Sequence, residues 1–97
     1  MKAKHRMTMH EIETDIRSFI KENFLYGDNA DSLSANESML RAGLIDSTGA
    51  LELVGFLESH FGISIQDAEI VPENLDTINA LVAFVSNKIG VAASAVA

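Results

Sequence analysis

The chain has no cysteine and no tryptophan, one proline, one tyrosine, and only two Lys or Arg residues after residue 21. Each scarcity excludes something. Without cysteine there are no disulfides, no thiolate metal sites, and no thiol of the chain's own for thioester chemistry; compartment is left open. One proline, six glycines and few aromatics favour helices over a sandwich of short strands. No apolar run approaches the roughly 20 residues of a membrane span. The basic start, Met1-Lys2-Ala3-Lys4-His5-Arg6, has no apolar stretch behind it and does not read as a secretory signal. The expectation is a cytoplasmic protein without membrane insertion.

What is present is enough for one small globular domain: 97 residues, 47% hydrophobic and 22% charged. The net charge of −7 is unevenly spread, with residues 1–21 slightly basic and Arg41 and Lys88 the only Lys or Arg among the acids that follow. Such a surface repels nucleic acid and anionic membrane and steers basic protein partners toward it. The expected organisation is a flexible basic stretch at 1–7, a single domain at 8–90 and a frayed tail at 91–97, in a monomer.

Hydrophobic spacing predicts an all-α fold, an antiparallel four-helix bundle of three long helices and one short one. Thr8-Met9-His10-Glu11 matches a capping box. Ile12, Ile16, Phe19, Ile20 and Phe24 form the stripe that follows, and Gly27 with Asp28-Asn29-Ala30-Asp31-Ser32 ends it. The long loop at 27–45 carries Met39, Leu40, Leu44 and Ile45 as core anchors, with a helical turn expected at Ser38–Ala42. A second helix is expected from Ser47 to His60, with Leu53, Phe56, Leu57, His60 and Phe61 facing the core. Leu51, Val54 and Gly55, rimmed by Glu52 and Glu58, form a second apolar patch, read either as deeper burial or as a docking face. A short helix near Asp67–Val71 is expected to end at Pro72. The last helix, capped by Asp76 or Thr77, presents Ile78, Leu81, Val82, Val85 and Ile89 and closes at Gly90.

Asp46 and Ser47 stand where the second apolar pattern begins. Asp46 is an N-cap candidate, and Ser47 is then the first helical residue with its hydroxyl outward. Unpaired N–H groups and the helix dipole make this end favourable for a phosphate. Asp and Ser are ordinary helix starters, so the pair alone carries little. The flanks add to it: Gly43-Leu44-Ile45-Asp46-Ser47, then Leu51-Glu52-Leu53-Val54, then Phe61-Gly62-Ile63-Ser64-Ile65. This combination resembles the acyl carrier protein family over about residues 9–89.

The resemblance implies that a phosphopantetheinyl transferase moves 4′-phosphopantetheine from coenzyme A onto Ser47, with Asp46 in a supporting role. The arm's thiol then carries an acyl or aminoacyl group as a thioester, loaded by a ligase and passed to downstream transferases. The protein would hold cargo without catalysis of its own. The docking face is expected from Leu51, Glu52, Val54, Gly55 and Glu58. Thr48 and Gly49 depart from the leucine and acid that follow the serine in fatty-acid carriers, and Gly55 stands where a large apolar residue is common. With Pro72-Glu73-Asn74-Leu75-Asp76-Thr77, these departures look more like stand-alone carriers of specialised pathways, including D-alanyl and aminoacyl carriers.

An enzyme built on Ser47 would need a base. His60 lies thirteen residues further along the helix, about 20 Å away at 1.5 Å per residue, too far to activate that hydroxyl. It is expected to be a partly buried structural residue. Three scattered histidines make no metal motif. The competing reading is a small acidic helical interaction module that is never modified.

Overall fold

The computed structural model describes residues 7–25 and 33–90, except for the side chain of Leu25. These form a bundle of four α-helices with no strand among the described residues. α1 spans Met9–Ile20, α2 Ser47–Phe61, α3 Pro72–Leu75 and α4 Ile78–Ile89. The expected closure of the first helix at Gly27 and the turn at 28–32 lie outside the described residues, as do most of the basic start and the tail at 91–97.

α1 opens through the capping box that its sequence encodes. Thr8 Oγ1 accepts from the Glu11 amide at 3.1 Å, and Glu11 Oε1 accepts from the Thr8 amide at 2.9 Å. Ile12, Ile16 and Ile20 are fully buried. The helix then widens into a π turn at Lys21–Leu25, a feature that recurs near functional sites. Here it brings the half-buried Phe24 against the start of α2. Arg17 carries the chain onward: its guanidinium pairs with Glu13 at 2.8 Å and donates to the Leu33 carbonyl at 2.8 Å.

α4 packs against α1 along Ile78, Leu81, Val82 and Val85, all buried. Thr77 is its cap, with Oγ1 accepting from the Ala80 amide at 3.0 Å. α2 touches α4 and buries Gly49, Leu53, Val54 and Leu57. Phe56 is only half-buried and stacks on Phe19 of α1, ring centroids 4.2 Å apart. Both long helices after the loop end on left-handed glycines, Gly62 at φ 68° and Gly90 at φ 74°.

Several expectations change. Val54 belongs to the core and not to an exposed patch, because the buried band of α2 follows Gly49, Leu53 and Leu57 at four-residue steps and takes in position 54 beside them. His60 is exposed: Nε2 meets Asp15 Oδ2 of α1 at 2.9 Å, a surface link between two helices. Leu40 is 46% exposed, while its neighbour Met39 is fully buried. Asp67–Glu69 is only a 3₁₀ turn, and the short helix comes after it. Pro72 starts that helix instead of ending one, because the first helical position needs no N–H donor.

Gly55 sits mid-helix on the exposed side of α2, and a Cβ there would meet nothing within 4 Å. Replacing it by alanine removes backbone freedom from the unfolded chain at no steric cost. Gly55→Ala is therefore expected to raise stability by about 0.5–1 kcal/mol, read from a denaturant melt.

Candidate functional site

The centre of the site is the first turn of α2. Asp46, in an extended conformation at φ −110° and ψ −170°, is its N-cap. One carboxylate oxygen accepts from the Gly49 amide at 2.8 Å, and the Asp46 carbonyl accepts from the Ala50 amide at 2.8 Å. The amides of Ser47 and Thr48 occupy the helix start, where no intrahelical acceptor exists. Ser47 is exposed. Its hydroxyl thus stands at the positive end of a fifteen-residue helix. Removal of the cap in Asp46→Ala is expected to cost about 0.5–2 kcal/mol, measured by thermal or urea unfolding.

Gly49 explains part of the local sequence. An added Cβ would lie 2.9 Å from Phe24 Cε1, and 3.4 Å from both Asp46 Oδ1 and Ile45 Cγ2. The glycine lets the π turn of α1 press directly on the capping turn. Its signal in the sequence was only a glycine near a helix start, with nothing to name Phe24 as the neighbour.

An apolar cleft of about 380 Å³ opens beside Ser47. α2 contributes Ala50, Leu51 and Leu53 to its lining, and the segment after α2 contributes Ile70, Val71, Pro72 and Leu75; Leu40 and Asp76 line it too. Leu51 is 63% exposed and stands at the rim. The segment after α2 is tied to α4 by Glu69, whose side chain pairs with Lys88 at 2.8 Å and accepts from the Gln66 amide at 2.9 Å. The Gln66 amide, then Lys88, hold the Glu69 carboxyl below its ordinary value. A smaller and more polar hollow lies on the other side of the capping turn, between Asn23, Phe24, Thr48 and Glu52.

Comparison with known families shows to which of them the chain belongs. The family profile described as "Phosphopantetheine attachment site" matches residues 24–85, well over half of the chain. The chain belongs to this family of carrier proteins. The carrier is 32% identical over 72 residues to the D-alanyl carrier protein of Streptococcus suis (strain 98HAH33), covering 74% of this chain and 87% of the relative. It is 31% identical over 72 residues to the D-alanyl carrier protein of Streptococcus mutans serotype c (strain ATCC 700610 / UA159), with the same coverage. It is also 31% identical over 74 residues to the probable acyl carrier protein PigG of Serratia sp. (strain ATCC 39006), covering 76% of this chain and 84% of that one. Its cofactor is covalently attached 4′-phosphopantetheine. Carriers of this kind work with a phosphopantetheinyl transferase and with ligases or transferases, and do no catalysis themselves.

The site fits such a group. An exposed hydroxyl, two helix-start amides and an open cleft with an apolar lining leave room for a phosphodiester and for the arm beyond it. No group of three or more His, Cys, Asp or Glu side chains able to hold a metal occurs among the described residues. No helix there is long and apolar enough to cross a membrane.

The residues expected to form a docking face are separated by the structure. Leu51, Glu52 and Gly55 are exposed, whereas Val54 is in the core. Glu58 is half-buried, and its carboxylate accepts from the Ile65 amide at 2.9 Å, holding the segment after α2. Leu40 and the cleft residues beyond α2 had no place in the sequence-based site; no local spacing links residues 70–76 to Ser47.

Proposed function

We propose that Ser47 is the attachment point and that this carrier holds an acyl or aminoacyl group in a specialised pathway. The observation that carries the reading is the exposed Ser47 hydroxyl on the first residue of α2, capped by Asp46 and inside the matched family region. Bound there, the arm supplies the thiol that the cysteine-free chain lacks. The chain's own residues do the rest. Ser47 Oγ bonds to the pantetheine-side phosphorus of coenzyme A as the pyrophosphate P–O bond breaks; adenosine 3′,5′-bisphosphate leaves, and the hydroxyl proton passes to the transferase. The helix-start amides favour the phosphate's charge. Asp46 uses one oxygen on Gly49, and its other oxygen is available to help the transferase hold a divalent metal. Leu51, Glu52 and Gly55 meet the partner enzymes: the transferase, a loading ligase and the downstream transferases.

The relatives named as D-alanyl carriers, and the departures at Thr48 and Gly49, support an aminoacyl or specialised acyl cargo over a housekeeping fatty acid. We infer a cytoplasmic monomer that is no enzyme: His60, the one histidine on α2, lies thirteen residues from Ser47, about 20 Å along the helix, too far to activate its hydroxyl.

Incubation with coenzyme A, magnesium and a broad-specificity phosphopantetheinyl transferase should add one phosphopantetheine, seen by intact mass. No addition with several such transferases would sink the reading. Glu52→Lys should raise the KM of the transferase for the carrier several-fold, and more at low salt, because screening shortens the reach of an exposed charge to about 8 Å at physiological ionic strength. Reversal at Glu58 is a poorer probe, since it also removes the hydrogen bond to Ile65.

A further inference from the structure

Three successive residues ahead of the site are tied to one residue far along the chain. Ser38 Oγ donates to Asp76 Oδ2. The Met39 amide donates to the Asp76 carbonyl at 2.9 Å, and the Leu40 amide to Asp76 Oδ1 at 2.8 Å. The Ser38 hydroxyl also accepts from the Arg41 amide at 3.1 Å. From this clamp the turn closes on itself. The amides of Ala42 and Gly43 reach the carbonyls of Ser38 and Leu40, both at 3.1 Å, and Leu44 N–H returns to the Met39 carbonyl at 2.9 Å. Gly43, at φ 74°, makes the reversal. The next residues are Ile45, buried, and Asp46, the cap.

The capping of α4 does not require Asp76, since Thr77 performs it. The Asp76 side chain instead accepts hydrogen bonds from the turn through both of its oxygens. The result is a backbone-held, exposed Leu40 on the lining of the cleft that Ser47 and Leu51 share. An enzyme that delivers a group to Ser47 must dock around it, and Leu40 and Leu51 line the same cleft as Ser47. A leucine on an irregular turn is costly to order during docking unless it is already held.

We propose that Asp76 is a positioning residue for the modification of Ser47: through Ser38, Met39 and Leu40 it holds the turn at 38–43 in the shape that the transferase binds. This rests on Ser47 being the attachment point. The effect belongs to docking and not to the chemical step, because Asp76 touches the turn and not the hydroxyl.

The test is steady-state kinetics of phosphopantetheine transfer to wild type, Asp76→Ala, Asp76→Asn and Ser38→Ala, each corrected for folded fraction by circular dichroism. Asp76→Ala should raise KM for the carrier about 10-fold with kcat within about 2-fold, the pattern of lost uniform binding. Asp76→Asn can still accept from Leu40 and donate to the Ser38 oxygen, so KM should stay within about 3-fold of wild type. Ser38→Ala removes one arm and should fall between them; it also serves if Asp76→Ala does not fold. A lowered melting temperature with unchanged KM in Asp76→Ala, or in Ser38→Ala where the former is unfolded, overturns the proposal. A wild-type protein that is never modified overturns the attachment reading itself.

Discussion

Ser47→Ala is expected to abolish phosphopantetheine transfer completely while leaving the fold intact. The loss is total because the hydroxyl oxygen is the atom that would bond to phosphorus, and alanine offers no replacement. Thr48 stands one position away and is also exposed, but a shift of one residue turns a side chain about 100° around the helix. The Asp46 cap would then lie on the wrong side of it. Stability should change little. Ser47 is the first helical residue and Asp46 makes the capping bond, so only an exposed hydroxyl is removed; such surface changes usually stay within about 0.5 kcal/mol. Intact mass after coenzyme A treatment and a urea melt on the same sample read both halves of the expectation.

Leu57→Ala has the largest expected effect on the fold. Leu57 is fully buried, one turn beyond the equally enclosed Leu53. Its removal loses apolar contact and leaves a hole that a bundle held from several sides closes only in part. The expected loss is about 2–5 kcal/mol, against a total of roughly 5–15 kcal/mol for a domain. The variant should therefore melt far lower or fail to fold at all. Modification should follow the folded fraction, because α2 carries both Leu57 and the Ser47 turn. A Leu57→Ala protein as stable as wild type would mean that α2 is not seated as described. Gly55→Ala is the opposite case on the same helix, a change on the open side that stabilises.

How much of this was legible in the sequence follows from the range of the interactions. The Thr8 and Glu11 box, the Ile12, Ile16, Ile20 stripe and the glycine closures at 62 and 90 depend on residues a few positions apart, and each is found where spacing placed it. The start of α2 at Ser47 is equally local, set by Asp46 and the Gly49 amide. What failed depends on distant neighbours. Met39 and Leu40 are adjacent apolar residues in a loop, and only the bonds to Asp76 decide which turns inward. The position of Val54 depends on how α2 is rotated against the rest of the bundle. His60 looked like a core residue by its phase on the helix, but Asp15 of α1 gives it a partner at the surface. Pro72 is expected to end a helix, yet it opens α3, and the residues before it form only the 3₁₀ turn at Asp67–Glu69.

The same division runs through the candidate site. The motif around Ser47 could be found because its pieces lie on one helix and the loop before it. The cleft could not, since Ile70, Val71, Pro72 and Leu75 come from beyond the end of α2. Nor could Gly49 be read as a point of close approach until Phe24 was placed over it by the π turn.

The central claim is that the arm is attached at Ser47, and fragment mass mapping of the modified carrier tests it most directly. Digestion and sequencing of the labelled peptide should place one phosphopantetheine on Ser47 alone. A label on Ser38, Thr48 or Ser59, or a wild-type carrier that takes none, would contradict it.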